Sequence, residues 1–387
     1  MKRVFCLALA ALFCLCTSAQ ELSNFNFGGR RQIVSPEITE NSVTFRLAAD
    51  YATQVSLSGT WMSGLGSSIP MKKGEGGVWS VTIDKPEAEI YTYNFVVDGV
   101  SVNDPQNFFV QRDGTRFLNM LIVPGERSAN YNETSHRGTV SYRWYDSAIL
   151  GINRRLTVYT PYGYEDAANR NRKYPVLYLL HGAGGDEEAW SSMGRAAQIL
   201  DNLIEQGKAE PMIVVMPNGN PNQQAACTMG LPEKELPAEG LLGDNGFVKS
   251  LVGEIVPFIE KNYRVLAKPA SRAVAGLSMG GGHTIAAARM APAMFGYVCP
   301  LSAAVFGDME EARQDFKSLK DAGCKLFWIG CGSSDFLFDS SNGLDKALTE
   351  IGFNHTYYVS EGGHEWKNWR LYLNTFAPLL FKAEGVR

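Results

Sequence analysis

The chain has 387 residues, 45% of them hydrophobic, with 40 Asp and Glu against 36 Lys and Arg, which gives a formal net charge of −4. This length and apolar content allow more than one domain with a buried core. The acidic balance argues against nucleic acid as a partner, because nucleic-acid binding needs clustered positive charge.

Residues 1–19 have the pattern of a cleaved export signal. Lys2 and Arg3 precede an apolar run over residues 4–16, and the small residues Thr17-Ser18-Ala19 follow it. The apolar run is too short to predict a membrane span. We therefore expect cleavage after Ala19, export to the periplasm or the medium, and a net charge of −4 − 2 = −6 once Lys2 and Arg3 are removed.

Residues 20–124 are predicted to form an immunoglobulin-like β-sandwich. Apolar and polar residues alternate over residues 42–47, 54–59, 77–83 and 91–97, and Gly, Pro and Asp separate these segments. Asp98-Gly99 predicts a hairpin turn. Trp61 lies at a strand end, where it could stack on a sugar ring or instead pack in a core; both readings stay open.

Residues 125–138 are polar and are interpreted as a linker to a second domain, residues 139–387. Strand-like runs in this second domain alternate with helical ones. The strands are expected at residues 155–160, 176–181, 212–216, 272–275, 297–303 and 325–330, and the helices near residues 195–205 and 247–263. This order predicts an α/β domain with a mostly parallel sheet covered on both faces.

The segment Gly276-Leu277-Ser278-Met279-Gly280 stands between an apolar strand and a small-residue helix. A sharp strand-to-helix turn with flanking glycines projects a serine hydroxyl and is typical of a nucleophile elbow. The pattern predicts Ser278 as the nucleophile of a serine hydrolase.

A serine nucleophile needs a base and an acid that orients the base. His364 is the best placed of the five histidines, because it follows a strand and lies in a glycine-containing loop at the carboxyl edge of the predicted sheet. Asp335 directly follows a buried-looking strand, and Asp339 is the reserve choice for the acid. The oxyanion donors are expected to be the N–H groups of Met279 and Ala183.

Three tryptophans are candidates for substrate binding, namely Trp190, Trp366 and Trp61. The first two lie near the glycine-rich catalytic loops in sequence and could line an aromatic acyl site. No Cys-x-x-Cys or His-Glu-x-x-His spacing indicates a metal site, and serine chemistry requires no cofactor, so none is expected. A Cys227–Cys299 disulfide stays open.

Five segments of the second domain occur in one order: Tyr159-Thr160-Pro161-Tyr162-Gly163-Tyr164, His181-Gly182-Ala183-Gly184-Gly185, Met216-Pro217-Asn218-Gly219, residues 276–280 and Gly363-His364-Glu365-Trp366. Together they resemble the esterase D and feruloyl esterase group of carbohydrate esterase family 1. The resemblance covers about residues 137–385. It implies an α/β-hydrolase that removes feruloyl or acetyl groups from xylan, with Ser278, Asp335 and His364 as its triad.

Val97-Asp98-Gly99, followed by Asn103-Asp104-Pro105, resembles the early-set module grouped with carbohydrate-binding family 48. The resemblance of the second domain to the feruloyl esterase group implies a function, removal of feruloyl groups from plant cell-wall xylan. An acetyl-xylan esterase, an enterochelin-type siderophore esterase and a catalytically silent carbohydrate-binding protein are the alternatives. The expected partners are feruloylated or acetylated xylan and arabinoxylan oligosaccharides.

Overall fold

The structure, a computed structural model, describes residues 33–62, 66–235, 246–305 and 307–382. The predicted export signal lies outside the described residues. In the part of the chain that the structure describes, no helix is both long and apolar enough to cross a membrane.

The strands are β1 (Glu37–Ile38), β2 (Ser42–Ala48), β3 (Val55–Gly59), β4 (Ile69–Pro70), β5 (Lys72–Lys73), β6 (Val78–Asp84), β7 (Ile90–Val97), β8 (Val100–Val102), β9 (Val110–Asp113), β10 (Arg116–Ile122), β11 (Thr139–Ser147), β12 (Ile152–Thr160), β13 (Val176–Leu180), β14 (Ile213–Pro217), β15 (Arg272–Leu277), β16 (Tyr297–Leu301), β17 (Leu326–Gly332) and β18 (Thr356–Ser360). The helices are α1 (Ala189–Ser192), α2 (Ala196–Glu205), α3 (Phe247–Ser250), α4 (Val256–Asn262), α5 (Met279–Met290), α6 (Met309–Asp321), α7 (Phe338–Glu350) and α8 (Trp366–Phe376). A π-helical turn, Leu251–Ile255, joins α3 to α4.

The chain divides into two compact units that are interleaved along the sequence. Of the described residues, the first unit contains residues 33–57, 68–85 and 95–107. The second contains the described residues in the ranges 58–67 and 86–94 and those from residue 108 to residue 382. The domain boundaries at residues 124 and 139 stay a prediction from sequence.

The amino-terminal strands form two sheets, one with the order β1-β2-β6-β5 and one with the order β4-β3-β7-β10-β9. Along β2, Val43, Phe45 and Leu47 are buried while the residues between them are partly exposed, as the predicted alternation requires. The predicted Asp98-Gly99 hairpin joins β7 to β8, with a positive φ at both residues.

The second unit contains an eight-stranded sheet with the order β11-β12-β14-β13-β15-β16-β17-β18. The pairs from β14 to β18 are parallel, and β11 and β12 are antiparallel at one edge. The predicted mostly parallel sheet is therefore confirmed.

The central strand β13 shows how the sheet obtains its two cores. All five of its residues are buried; Val176, Tyr178 and Leu180 pack in one hydrophobic cluster, and Leu177 and Leu179 pack in the other. Successive side chains of a strand point to opposite faces, so a strand covered on both faces is a continuous apolar run.

Strand β13 also determines where a site can form. The next strand along the chain, β14, pairs with β13 on one side. The strand after it, β15, pairs with β13 on the other side, with Leu180 opposite Gly276. This reversal of direction is a switch point, where loops at the carboxyl ends of parallel strands diverge and leave a crevice. The loops that follow β13 and β15 begin at His181 and Ser278.

Candidate active site

Ser278 lies at the turn between β15 and α5, with φ 53° and ψ −118°. A positive φ in a residue other than glycine is strained and persists where the surrounding structure enforces it. The flanking glycines allow this turn. A Cβ on Gly276 would overlap the Gly280 carbonyl, and a Cβ on Gly280 would lie 2.7 Å from the Leu180 carbonyl oxygen.

His364 and Asp335 form a close pair beyond the carboxyl ends of β18 and β17. The His364 Nδ1 atom lies 3.0 Å from each Asp335 carboxylate oxygen. Burial alone would raise the pKa of Asp335, but hydrogen bonds from His364 and the Leu337 N–H lower the pKa below its usual value. Asp335 is therefore ionised and suited to orient the imidazole.

Aromatic rings flank the His364 imidazole. The Phe336 ring centroid lies 4.3 Å from that of His364, and the Trp369 ring meets His364 edge to face at 4.9 Å. The Trp369 indole N–H donates to the hydroxyl of buried Ser302 at 3.0 Å. Phe336 is 75% exposed, so it covers the imidazole from the solvent side.

Ser278 and His364 line one cavity of about 160 Å³, which we call the inner cavity. The rest of its wall is mostly apolar or glycine: Gly182, Ala183, Gly185, Ala189, Met193, Leu277, Trp366 and Trp369, together with Asp113. Among the described residues, no hydrogen bond joins Ser278 Oγ to the His364 ring. Catalytic hydrogen bonds are commonly long before a substrate binds.

The glycine-rich loop after β13 is held by a buried neutral histidine. His181 Nε2 accepts a hydrogen bond from the Gly219 N–H at 2.7 Å, so Nδ1 carries the proton and donates to the Gly182 carbonyl, also at 2.7 Å. Burial lowers the pKa of His181. Ala183 of this loop lines the inner cavity, and Met279 is the first residue of α5.

A buried ion network continues from that loop. Arg112, from β9, donates to both carboxylate oxygens of Asp186 at 2.6 and 2.7 Å and to Glu188 at 3.0 Å. Arg155 binds Glu187 at 2.6 Å and also binds Glu188. Because bidentate arginine pairs fix orientation, the network holds residues 186–188 against β9 and β12.

A larger cavity of about 560 Å³ adjoins the first, and we call it the outer cavity. It shares Asp113, Met193, His364, Trp366 and Trp369 with the inner cavity. Its other lining residues mix aromatic rings with polar and charged groups: Thr60, Trp61, Pro86, Glu87, Glu89, Ile90, Tyr91, Thr92, Gln111, Leu118, Glu365, Lys367 and Arg370.

The three candidate tryptophans have different positions. Trp366 lines both cavities, and Trp61 lines the outer cavity, with its ring edge to face with Tyr91 at 6.0 Å. Trp190 lines neither cavity. It is 1% exposed, and its indole N–H donates to the Leu180 carbonyl at 2.9 Å. The expectation that Trp190 touches the substrate is corrected, because it is a core residue that supports the Trp366 ring at 5.2 Å.

Several lining residues were missed by sequence reasoning. Asp113 and Met193 reach the inner cavity from β9 and the end of α1, and no local pattern marks either residue. The position of Phe336 beside the site could have been predicted, since Phe336 directly follows the predicted acid Asp335.

Cys227, Cys299, Cys324 and Cys331 are free thiols, so a Cys227–Cys299 disulfide is not formed. No group of three or more His, Cys, Asp or Glu side chains is placed to hold a metal ion in the described ranges.

Comparison with known protein families gives two matches. Residues 147–324 match the family described as "Putative esterase", and residues 33–110 match carbohydrate-binding module 48, the isoamylase N-terminal domain. The resemblance predicted from the sequence is thereby confirmed, since an esterase-family match follows a module-48 match along the chain.

Among curated proteins, the chain is similar to an endo-1,4-beta-xylanase/feruloyl esterase of Xylanibacter ruminicola, with 33% identity over 354 residues. The match covers 89% of this chain and 45% of that protein, so the chain spans less than half the length of this relative. A solved ferulic acid esterase is 28% identical with a TM-score of 0.51, over 63% of this chain and 98% of that one.

The enterobactin esterase of Shigella flexneri superposes with a TM-score of 0.62 over 94% of this chain and 98% of that one. At 16% identity this match shows the fold alone. Together these neighbours confirm the α/β-hydrolase fold preceded by an immunoglobulin-like β domain.

Proposed function

Since residues 147–324 match an esterase family and residues 33–110 match carbohydrate-binding module 48, we propose that this protein removes feruloyl groups from plant cell-wall xylan. It acts as an exported serine carboxylester hydrolase. The observation that carries the proposed chemistry is the bonding of His364 to ionised Asp335 in the cavity that Ser278 also lines.

In the proposed mechanism, His364 Nε2 takes the proton of Ser278 Oγ as Oγ attacks the ester carbonyl carbon. The N–H groups of Met279 and Ala183 stabilise the oxyanion. Collapse of the tetrahedral intermediate breaks the bond to the sugar oxygen, which receives the proton from His364. Water, deprotonated by His364, then attacks the acyl-enzyme and releases the acid and free Ser278.

Two features support an aromatic acyl group on a sugar. The inner cavity has an apolar wall with the rings of Trp366 and Trp369, which suits a hydroxycinnamoyl ring. The relative from Xylanibacter ruminicola is described as an endo-1,4-beta-xylanase/feruloyl esterase, and it matches 89% of this chain.

The charges of the outer cavity suit a neutral glycan. Three of the four carboxylates that line it are paired with cations: Glu89 with Arg370, Glu365 with Lys367 and Asp113 with Arg116. A wall with paired charges offers no excess positive charge to an anionic catecholate–iron complex.

Parallel initial rates with methyl ferulate and an aryl acetate test the acyl group, with Ser278→Ala as the blank. A higher kcat/KM for methyl ferulate supports the feruloyl assignment. Acetate turnover with inert ferulate favours an acetyl-xylan esterase instead. A folded protein that resists a fluorophosphonate label on Ser278 yet retains xylan would indicate a silent carbohydrate-binding protein.

A further inference from the structure

Asp113 lies at the junction of the two cavities. It is one of the residues that line both, together with His364, and its side chain is 42% exposed. A charged acceptor beside the catalytic base is available to whichever half of the substrate lies there.

The chemistry of the reaction assigns the two halves of the substrate. The carbonyl carbon must lie at Ser278 in the inner cavity, whereas the leaving oxygen must lie within hydrogen-bond reach of His364, which protonates it. His364 faces both cavities, so the leaving alcohol can extend from it into the outer cavity.

The lining of the outer cavity suits a polyhydroxylated alcohol. The rings of Trp61, Tyr91 and Trp366 provide flat apolar faces, while Thr60, Thr92 and Gln111 provide hydrogen-bonding groups. Its volume of about 560 Å³ falls in the usual range for small-molecule sites.

The backbone at Asp113 is held beside the glycine-rich loop that follows β13. Its neighbour Arg112 is clamped to Asp186 through both carboxylate oxygens, and the Arg112 backbone N–H donates to the Ser192 hydroxyl at 2.8 Å. The Asp113 carboxylate itself lies 3.5 Å from Arg116, which is 73% exposed. Because the backbone is held in this way, only the side-chain torsions of Asp113 have to be ordered when it binds a ligand.

We propose that Asp113 is a specificity-determining residue whose carboxylate accepts a hydrogen bond from a hydroxyl group of the leaving sugar, next to the esterified oxygen. This inference rests on the proposed function, since it names how the same site recognises the alcohol half of its substrate. A carboxylate only accepts hydrogen bonds, and sugar hydroxyls donate them, so the pair is complementary and charge-assisted.

The test compares two esters of the same acid, a feruloylated arabinoxylan oligosaccharide and methyl ferulate, in the wild-type protein and in Asp113→Asn. The variant should lower kcat/KM at least about tenfold for the oligosaccharide, because a hydrogen bond to a charged group is weakened. Methyl ferulate, which lacks the hydroxyl, should change less than about threefold. Asp321→Asn, which removes one exposed charge at the end of α6, should leave both rates unchanged.

A second readout does not depend on the variant's turnover of the oligosaccharide. The unesterified oligosaccharide should inhibit methyl ferulate hydrolysis competitively in the wild-type protein and about tenfold more weakly in Asp113→Asn. Equal losses for both esters would overturn the inference, since Asp113 would then act through the catalytic loop. Unchanged oligosaccharide turnover and inhibition would overturn it as well.

Failure of the proposed function has a different signature. If the wild-type protein cleaves acetyl esters and leaves feruloyl esters intact, the proposed acyl group is wrong. The same comparison made with acetylated xylo-oligosaccharide and methyl acetate then decides the role of Asp113.

Discussion

His364 Nδ1 lies 3.0 Å from each carboxylate oxygen of Asp335, whose side chain is fully shielded from solvent. The buried carboxylate keeps its negative charge because His364 and the Leu337 N–H donate to it. With the His364 proton held on Nδ1, Nε2 is left as the basic atom of a ring that lines the inner cavity.

Asp335→Asn should therefore lower kcat by about 10³- to 10⁴-fold with little change in KM, because the amide favours the wrong imidazole tautomer. Steady-state rates with methyl ferulate measure the effect. The matched control is Asp339→Asn, in the first turn of α7. If the control lost the larger share of activity, Asp335 would not be the acid.

Arg112→Lys should lower kcat roughly ten- to hundredfold, because a lysine cannot reproduce the bidentate contact that holds Asp186 and the loop carrying Ala183. KM for methyl ferulate should change little, since Arg112 lines neither cavity. Arg313→Lys alters an exposed pair with Glu310 and Glu350 and should leave kcat at the wild-type value. An unaltered kcat in folded Arg112→Lys would show that the clamp does not position the loop.

Gly280→Ala should lower the free energy of unfolding by about 1–3 kcal/mol, because its Cβ would press on the Leu180 carbonyl beneath the elbow. Gly343→Ala is the matched control within helix α7. The new Cβ would meet open space, so we expect the free energy of unfolding to rise by up to about 1 kcal/mol. Urea unfolding of both variants measures the difference. Similar stability for the two would contradict the close packing of Gly280 against the Leu180 carbonyl.

Acid should destabilise the protein through His283, which is buried in helix α5 against the Phe247 ring. Burial, with a smaller contribution from His181, lowers the pKa of His283 from 6.5 to about 4. The unfolded chain then binds the proton more readily than the folded one. The contribution of neutral His283 to the free energy of unfolding is therefore fully present above pH 6.5. It is lost as the pH falls toward 4, by on the order of 3 kcal/mol.

Urea midpoints at pH 7.5 and 4.5 measure this loss. His283→Gln should show a smaller difference between the two pH values than the wild-type protein does. An identical difference in His283→Gln would assign the acid sensitivity to other groups.

The sequence predicted those parts of the fold that local pattern determines. The apolar run of β13, the strand and helix around Ser278 and the alternation along β2 are all visible over a few residues. Periodic burial and turn chemistry act over that same range, so these elements were found.

The rest depends on contacts between distant residues. Arg112 meets Asp186 across 74 positions, and Asp113 enters the same cavity from β9 with no periodicity to mark it. Trp190, in contrast, was predicted from the sequence to contact the substrate and does not line either cavity. It lies close to the glycine-rich loop in sequence, but its side chain points into the core rather than into the cavity.

The central claim is that Ser278 becomes acylated, and trapping the acyl-enzyme tests it most directly. The wild-type protein is mixed with methyl ferulate, quenched in acid during the first turnovers and digested for mass spectrometry, with Ser278→Ala treated in parallel. We expect one feruloyl group on the Ser278 peptide of the wild-type protein and none in the variant. Undiminished ester hydrolysis by Ser278→Ala, or a feruloyl adduct on another residue, would contradict the account.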